Sequence, residues 1–425
     1  MVKISEVKSR QVLDSRGNPT VWAQVILDNG IKASAITPSG ASTGKLEAVE
    51  LRDNACEFFG KSVMRAVRNV QGPISNALKG IRLEDMQDVE HVDATMIELD
   101  GTANKAKLGA NATTAVSFAT LRACAKTNKK QIYQLMNGTV LPVPFMNVIN
   151  GGKHAGSGLA VQEIMISPLR VKSFSQAIMA GVEIYHTLKN MIKKQYGLSG
   201  VNVGDEGGFA PMISKTKDAL NILEQAIDEA GYKKNVFIAS DPASSSFYDA
   251  KTKSYTIDGG NLSAEELHDY WVELIKEYNI MSLEDPFDES DFYSFSKLRQ
   301  KVGSYCQIVG DDLTVTNLKM IKKAKKQRAM NALLLKVNQI GTVSEAIESA
   351  QYCFEHKMGV MVSHRSGESE DTTIADLSVG LNCGQIKTGA PCRAERTAKY
   401  NRLLQIEDEL GSKAKYLQDK SIVRY

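Results

Sequence analysis

The sequence predicts an α/β protein, a closed (β/α)8-type barrel preceded by an α+β N-terminal cap, and three observations carry that expectation. The chain has 425 residues, too many for one small module and suited to a large barrel with a companion. Past residue 142, eight short apolar runs alternate with helix-length amphipathic stretches. Ahead of them the order is different, strands first and helices afterwards. Apolar residues make up 43% and charged residues 24%, an ordinary globular composition that excludes a disordered or fibrous chain.

Residues 2–38 read as a three-strand meander, with breaks at Ser15-Arg16-Gly17-Asn18-Pro19 and at Asp28-Asn29-Gly30. Asn29-Gly30 predicts a tight hairpin, because both residues tolerate positive φ. From about 61 to 126 the pattern becomes helical. Met86, Val89, Val92, Met96 and Leu99 share one face, and Ala112, Ala115, Ala119 and Ala123 permit close helix contact. Gly138, Pro142 and Pro144 then forbid any regular element from running through, which sets the expected boundary between a cap at 1–136 and a barrel at 137–425.

The eight runs are FMNVIN (145–150), QEIMI (162–166), NVFIAS (235–240), IMSLED (280–285), CQIVGDD (306–312), ALLLKV (332–337), GVMVSH (359–364) and GQIKTG (384–389). The later ones are separated by the length of a strand plus a returning helix. Such crossovers imply parallel neighbours, and eight parallel strands imply closure. An open doubly wound sheet is the alternative, but no G-x-G-x-x-G opens a strand-to-helix turn.

A charged residue ends most of these runs: Asp241, Glu284, Asp311, Lys336, His364 and Lys387, at intervals of 43, 27, 25, 28 and 23 residues. A barrel would gather all six at one mouth, where such folds keep their chemistry. An acid after a strand often only caps the next helix. Lys336 resists that reading, because it interrupts Leu333-Leu334-Leu335-Lys336-Val337, where a buried ammonium is costly unless paired or used. Three converging carboxylates favour a hard cation such as Mg2+, and Lys336, His364, Arg365 and Lys387 face them as an anion-binding half. The expected ligand is therefore a multiply anionic, metal-chelating small molecule.

These residues sit in long motifs: SRGNPT (15–20), PSGASTG (38–44), LDGT (99–102), LGANA (108–112), NGGKHAG (150–156), VGDEGGFAP (203–211), SLEDPF (282–287), GDDLTVTN (310–317), LLLKVNQIGT (333–342), SHRSGE (363–368) and GQIKTGAP (384–391). With them the chain resembles the enolase family over nearly its whole length. The resemblance implies a barrel of ββαα(βα)6 order and Mg2+-dependent interconversion of 2-phosphoglycerate and phosphoenolpyruvate plus water. It further implies Asp241, Glu284 and Asp311 as ligands of a tightly held Mg2+, with Ser39 on a second, substrate-dependent Mg2+. Lys336 matches the base, and Glu206, with Glu163 beside Gln162, the acid end. Arg365 and Ser366 match the phosphate-binding pair, His364 and Lys387 further substrate contacts, and His154 a lid residue. Lys387 and the cations are expected to lower the Lys336 pKa by like-charge repulsion. A related lyase or racemase, or a binding protein that retains the fold, are the alternatives.

Two departures from the family pattern stand out. Ser246 replaces a common glutamate in Asp241-Pro242-Ala243-Ser244-Ser245-Ser246-Phe247, from which altered Mg2+ affinity is expected. Trp22 and Gln405 stand where relatives carry Glu and Arg, and are expected at the interface of a homo-oligomer, at least a dimer.

A net charge of +3 argues against a nucleic-acid partner, and the basic run Lys322–Arg328 is expected to be the solvated face of a barrel helix. No membrane-span-length apolar run is present, and six scattered cysteines without C-x-x-C fit a reducing, cytoplasmic setting.

Overall fold

The computed structural model describes residues 1–40, 44–54, 56–152, 156 and 158–423. The meander forms as β1 (Ile4–Leu13), β2 (Pro19–Leu27) and β3 (Lys32–Ile36), antiparallel in that order. Alternate residues Val21, Ala23, Val25 and Leu27 are buried, because the period of a strand sends every second side chain to one face. Asn29-Gly30 turns the chain differently from the expectation. Only Gly30 of the pair has positive φ (87°), and Leu27 accepts from the Gly30 N–H while donating to Ile31 O, so the loop spans three residues, 28–30. A three-residue loop needs one left-handed position at its end, which glycine fills without steric cost.

Two helices complete the cap, α1 (Met86–Asp100) and α2 (Ala110–Thr127): α2 packs on the sheet, and α1 packs against α2. Asp85 opens α1 with a capping box, accepting from Asp88 N while the Asp88 side chain accepts from Asp85 N. Ala112, Ala115, Ala119 and Ala123 of α2 are fully buried, the small side chains letting the helix lie close to the strands.

The barrel closes from eight strands: β4 (Val143–Asn150), β5 (Glu163–Ser167), β6 (Phe237–Asp241), β7 (Ser282–Glu284), β8 (Gln307–Gly310), β9 (Ala332–Leu335), β10 (Gly359–Ser363) and β11 (Gly384–Lys387). They are not all parallel. β5 runs antiparallel to both β4 and β6, and the other pairs are parallel. The connections explain this. Among the described residues no α-helix lies between β4 and β5, which pair antiparallel, and two helices, α3 (Phe174–Tyr196) and α4 (Thr216–Glu229), then carry the chain to β6. Later strands alternate with α5 (Ala264–Glu277), α6 (Phe292–Val302), α7 (Leu318–Lys326), α8 (Val343–Glu355), α9 (Thr373–Gly380) and α10 (Ala394–Leu410), giving the ββαα(βα)6 order. The basic run lies on and just after α7, whose Ile321 and Ala324 face inward while Lys322, Lys323 and Lys326 are exposed. Among the described residues no helix is long and apolar enough to cross a membrane, and all six cysteines are free thiols.

The cap is bonded to the barrel mouth. Ser39 and Gly367 exchange backbone hydrogen bonds of 2.7 and 2.8 Å, and Ala48 N donates to Gln339 O. A Cβ on Gly367 would lie 2.5 Å from Arg16 Nη2 and 2.6 Å from Asp14 Oδ2, so a larger residue there would push the cap off. Fully buried Asp93 accepts from Ser117 Oγ and from Ser344 N and Oγ, tying α1 to the first turn of α8. Burial raises the Asp93 pKa from 3.8 to about 6 against those hydrogen bonds. The raised value means its stabilising contribution is complete below pH 3.8 and is lost as pH rises through about 6. Asp93→Asn should therefore be the more stable protein at pH 7, by up to about 3 kcal/mol, and not at pH 3.5. Urea midpoints at the two pH values check this, and an equal difference at both would contradict it.

Trp22 is half-buried on the outer face of β2 under the Arg10 guanidinium, 4.3 Å from its ring centroid. Gln405 is exposed on α10, 3.5 Å from Arg402.

Candidate active site

Ten of the thirteen side chains singled out from the sequence line one polar pocket of about 410 Å³: Gln162, Glu163, Glu206, Asp241, Asp311, Lys336, His364, Arg365, Ser366 and Lys387. The reversed strand explains one of them. Glu163 is the first residue of β5, yet antiparallel pairing sets it beside Asp241, the last residue of β6. Glu284, ending β7, is buried and reaches the others through Lys387. His154 lies outside the described residues.

Two ammonium groups organise the carboxylates. Lys387 Nζ is 2.9 Å from Asp241 Oδ2, 2.9 Å from Glu284 Oε1 and 3.2 Å from Glu163 Oε1, all nearly inaccessible. Burial opposes its charge, but the three acids outweigh burial and raise its pKa well above the ordinary value. Lys336 Nζ lies 2.5 Å from Asp311 Oδ2, and Gln339 Nε2 donates to Asp311 Oδ1 at 2.8 Å. Burial, Arg365 and Lys387 do push Lys336 down, but the adjoining Asp311 carboxylate raises it above its usual value.

At the other end Asn147 Nδ2 donates to Glu206 Oε2 at 3.0 Å, and His364 Nε2 is 3.4 Å from the same oxygen. Burial, and then the neighbouring Glu206 carboxylate, raise Glu163 well above the ordinary carboxylate range. Burial also pushes His364 down to about 4, so its imidazole is neutral at pH 7. Asn147 was missed in the sequence, where the only hint was a polar residue inside FMNVIN.

Arg365 holds Glu47 in a two-point contact, Nη1 to Oε2 at 3.0 Å and Nη2 to Oε1 at 3.1 Å. Glu47 also accepts from Gly44 N and Gln339 Nε2. Sequence reasoning missed Glu47 altogether. Ser39 does not line the pocket: its hydroxyl lies 3.0 Å from both Glu50 carboxylate oxygens and accepts from Arg52. Its expected place on a cation is thus unsupported by this geometry, since Glu50 and Arg52 already engage the hydroxyl. Ser42 and Thr43 of the same loop lie outside the described residues. Ser246 is exposed, and its N–H donates to Ala243 O. Ser246→Glu should accordingly leave the Mg2+ titration midpoint within about twofold of the parent, as for surface changes away from special contacts; a larger shift would restore the sequence expectation.

The donor set fits a hard divalent cation. Glu284 Oε2 is buried without a hydrogen-bond partner among the described residues, an unusual state for a carboxylate oxygen. The carboxylate oxygens within 4.8 Å of one another belong to Asp285, Asp311 and Asp312, sharing only Asp311 with the expected set. Asp285 accepts from Asp311 N and Asp312 N, so its oxygens serve the backbone turn. Asp241 and Glu284 remain as buried oxygen donors beside Asp311, currently drawn together by the Lys387 ammonium. No Cys or His stands among them, which favours Mg2+ over zinc.

Comparison with known proteins agrees along the whole chain. The family profile described as "Enolase, N-terminal domain" matches residues 4–136, and that described as "Enolase, C-terminal TIM barrel domain" matches residues 138–424. The chain is 53% identical over 412 residues to a protein named enolase from Methanocaldococcus jannaschii, covering 96% of each chain. It is 51% identical over 421 residues to one from Methanopyrus kandleri, covering 98% of each. Against one from Solanum lycopersicum it is 50% identical over 436 residues, covering 98% of this chain and 97% of the other.

Proposed function

The chain belongs to the enolase family, and on that footing we propose that its pocket carries out the family's reaction by Mg2+-assisted proton abstraction from the substrate by Lys336. The enzyme is a phosphopyruvate hydratase, a lyase that interconverts 2-phosphoglycerate and phosphoenolpyruvate plus water. The observation that supports the finer reading is that Lys336 and Glu206 line one pocket together with Asp241, Asp311, Arg365 and Lys387.

Lys336 takes the proton next to the substrate carboxylate at its Nζ, and must be neutral to do so. Asp311 holds it protonated, so the base becomes available as the Asp311 charge is drawn to another partner. Asp241, Glu284 and Asp311 would hold one Mg2+, which, with a second arriving with substrate, would supply electrostatic stabilisation of the second negative charge building on the substrate carboxylate. Lys387 contributes fixed positive charge on the same side. Glu206, oriented by Asn147, delivers a proton to the departing hydroxyl, and the Glu163 carboxyl beside it retains a proton for that step. Arg365 and Ser366 bind the phosphate, with the guanidinium matched to two-point contact. Gln162 orients Asp241 at 3.5 Å, His364 faces the Glu206 end, and His154 closes over the substrate to exclude water. The loop hydroxyl on the second cation is assigned to Ser42 or Thr43 in place of Ser39.

The test is formation of phosphoenolpyruvate from 2-phosphoglycerate, followed by ultraviolet absorbance with Mg2+ and with a chelator. A signal that vanishes with chelator and returns with Mg2+ is expected. A folded protein with no signal, or one indifferent to the chelator, would sink the reading.

We place the enzyme in the cytoplasm as a homo-oligomer with Trp22 and Gln405 at the interface. The half-buried Trp22 ring, already backed by Arg10, supports that placement. Trp22→Ala should sediment as a lighter species than the parent; an unchanged mass and stability would remove Trp22 from the contact.

A further inference from the structure

Arg396, in the first turn of α10, is fully buried, and nothing in the proposed chemistry uses it. Its guanidinium makes four hydrogen bonds. Nη1 donates to His364 Nδ1 at 2.6 Å and to Arg365 O at 2.7 Å. Nη2 donates to Ser366 O at 2.7 Å and to Asp205 O at 2.9 Å. All four terminal N–H groups are thereby spent on two loops. One carries His364-Arg365-Ser366, and the other Asp205-Glu206.

The first contact has a consequence that the three carbonyls lack. A guanidinium has no acceptor and does not lose its proton, so His364 Nδ1 must be the acceptor. A neutral imidazole that accepts at Nδ1 carries its proton on Nε2, and Nε2 is the atom 3.4 Å from Glu206 Oε2. The ring therefore presents a donor to the carboxylate of the proposed acid. Had Nδ1 carried the proton, Nε2 would present a lone pair to the same oxygen and repel it whenever Glu206 is ionised. Burial that keeps the ring neutral reinforces the choice, since a neutral ring has one donor and one acceptor to assign.

We propose that Arg396 is a positioning residue for the reaction: it fixes His364 as the Nε2–H tautomer and holds the Glu206 loop in register with the Arg365-Ser366 loop. One buried side chain thus sets the distance between the group that meets the departing hydroxyl and the groups that meet the phosphate. A bond network that only stapled loops would be served by the carbonyl contacts and would leave the imidazole to choose its own tautomer. The neighbouring Lys399 illustrates such a staple, being fully buried with its ammonium on Glu368 Oε2 at 2.9 Å and on Ser369 O.

The assignment rests on the functional reading above, and the experiment separates the two. Full-length, Mg2+-loaded enzyme labelled with 15N at histidine is compared with Arg396→Lys and Arg396→Ala, each checked for folding by near-ultraviolet circular dichroism. The parent is expected to show His364 neutral with its proton on Nε2, and both variants to lose that single tautomer. kcat should fall about 10- to 100-fold, the usual cost of removing a group that orients a functional histidine, with a smaller change in KM. Millimolar guanidinium should return part of the activity and the tautomer to Arg396→Ala. Variants with the parent's tautomer and kcat would overturn the proposal, as would a loss of activity that leaves His364 unchanged and ignores guanidinium. If Arg396→Ala does not fold, Arg396→Lys decides. If neither folds, the role is structural and the proposal fails. A parent that makes no phosphoenolpyruvate would fail the functional reading instead, while the tautomer comparison would still report on Arg396.

Discussion

Replacing Lys336 with alanine should lower kcat for phosphoenolpyruvate formation by about 10²- to 10⁴-fold, the range a positioned general base contributes. KM for 2-phosphoglycerate should change far less, because the phosphate and carboxylate contacts assigned to Arg365, Ser366 and Lys387 remain. The side chain is placed for this task by its strand: β9 ends at Leu335, and the next residue turns into the mouth beside Asp311. The variant also frees Asp311 from its ammonium, which should strengthen Mg2+ binding while turnover collapses. That opposite movement of affinity and rate distinguishes loss of a base from general damage to the pocket. A Lys336→Ala enzyme within tenfold of the parent would place the base elsewhere.

The second large effect concerns stability. Lys387→Met should destabilise the metal-free enzyme by about 3–5 kcal/mol, the cost of breaking a buried charge cluster by removing one partner. The lysine is buried against Asp241, Glu284 and Glu163, so the variant leaves three acids facing one another in a nearly inaccessible site. Two consequences separate this from lost packing. The deficit should grow as pH rises from 5 to 8, since folding would then require these acids to take up protons that the unfolded chain releases. It should also shrink on adding Mg2+, which binds the folded state alone and replaces the missing positive charge. Urea unfolding with and without Mg2+ measures both. A deficit indifferent to pH and Mg2+ would mean that the aliphatic stem of Lys387 matters more than its charge.

Much of the site was legible because it obeys a rule of position. Asp241, Glu284, Asp311, Lys336, His364 and Lys387 each end or follow an apolar run, and closing the barrel brings those ends together. The direction of β5 was not legible, since an apolar run reads the same forwards and backwards. The close spacing of the first two runs, and the ββαα(βα)6 order that the family resemblance implies, were the marks of the reversal that carries Glu163 to the mouth. The hairpin at Asn29-Gly30 was misread in detail because its loop length depends on where pairing with Ile31 begins, which composition does not fix. Asn147, Glu47 and Arg396 escaped for a different reason. Each acts through a partner distant in sequence, Glu206, Arg365 and His364 respectively, and a lone polar residue in a strand, loop or helix carries no mark of such a partner. Ser39 was placed on a cation by its motif, while Glu50 and Arg52, eleven and thirteen residues on, claim its hydroxyl.

The contact between Arg365 and Glu47 bears on how binding would be measured. A carboxylate seated on both guanidinium nitrogens is an internal competitor for any phosphate that comes to them. If the substrate phosphate binds Arg365 as proposed, it enters by exchange, and the apparent affinity is lowered by the fraction of time Glu47 stays seated. What a titration reports is the difference between two anions, one carried by the ligand and one by the enzyme. Because Glu47 also accepts from the Gly44 N–H, its release would free that backbone group as well. On the proposed assignment of the phosphate to Arg365, the enzyme thus carries its own placeholder for it.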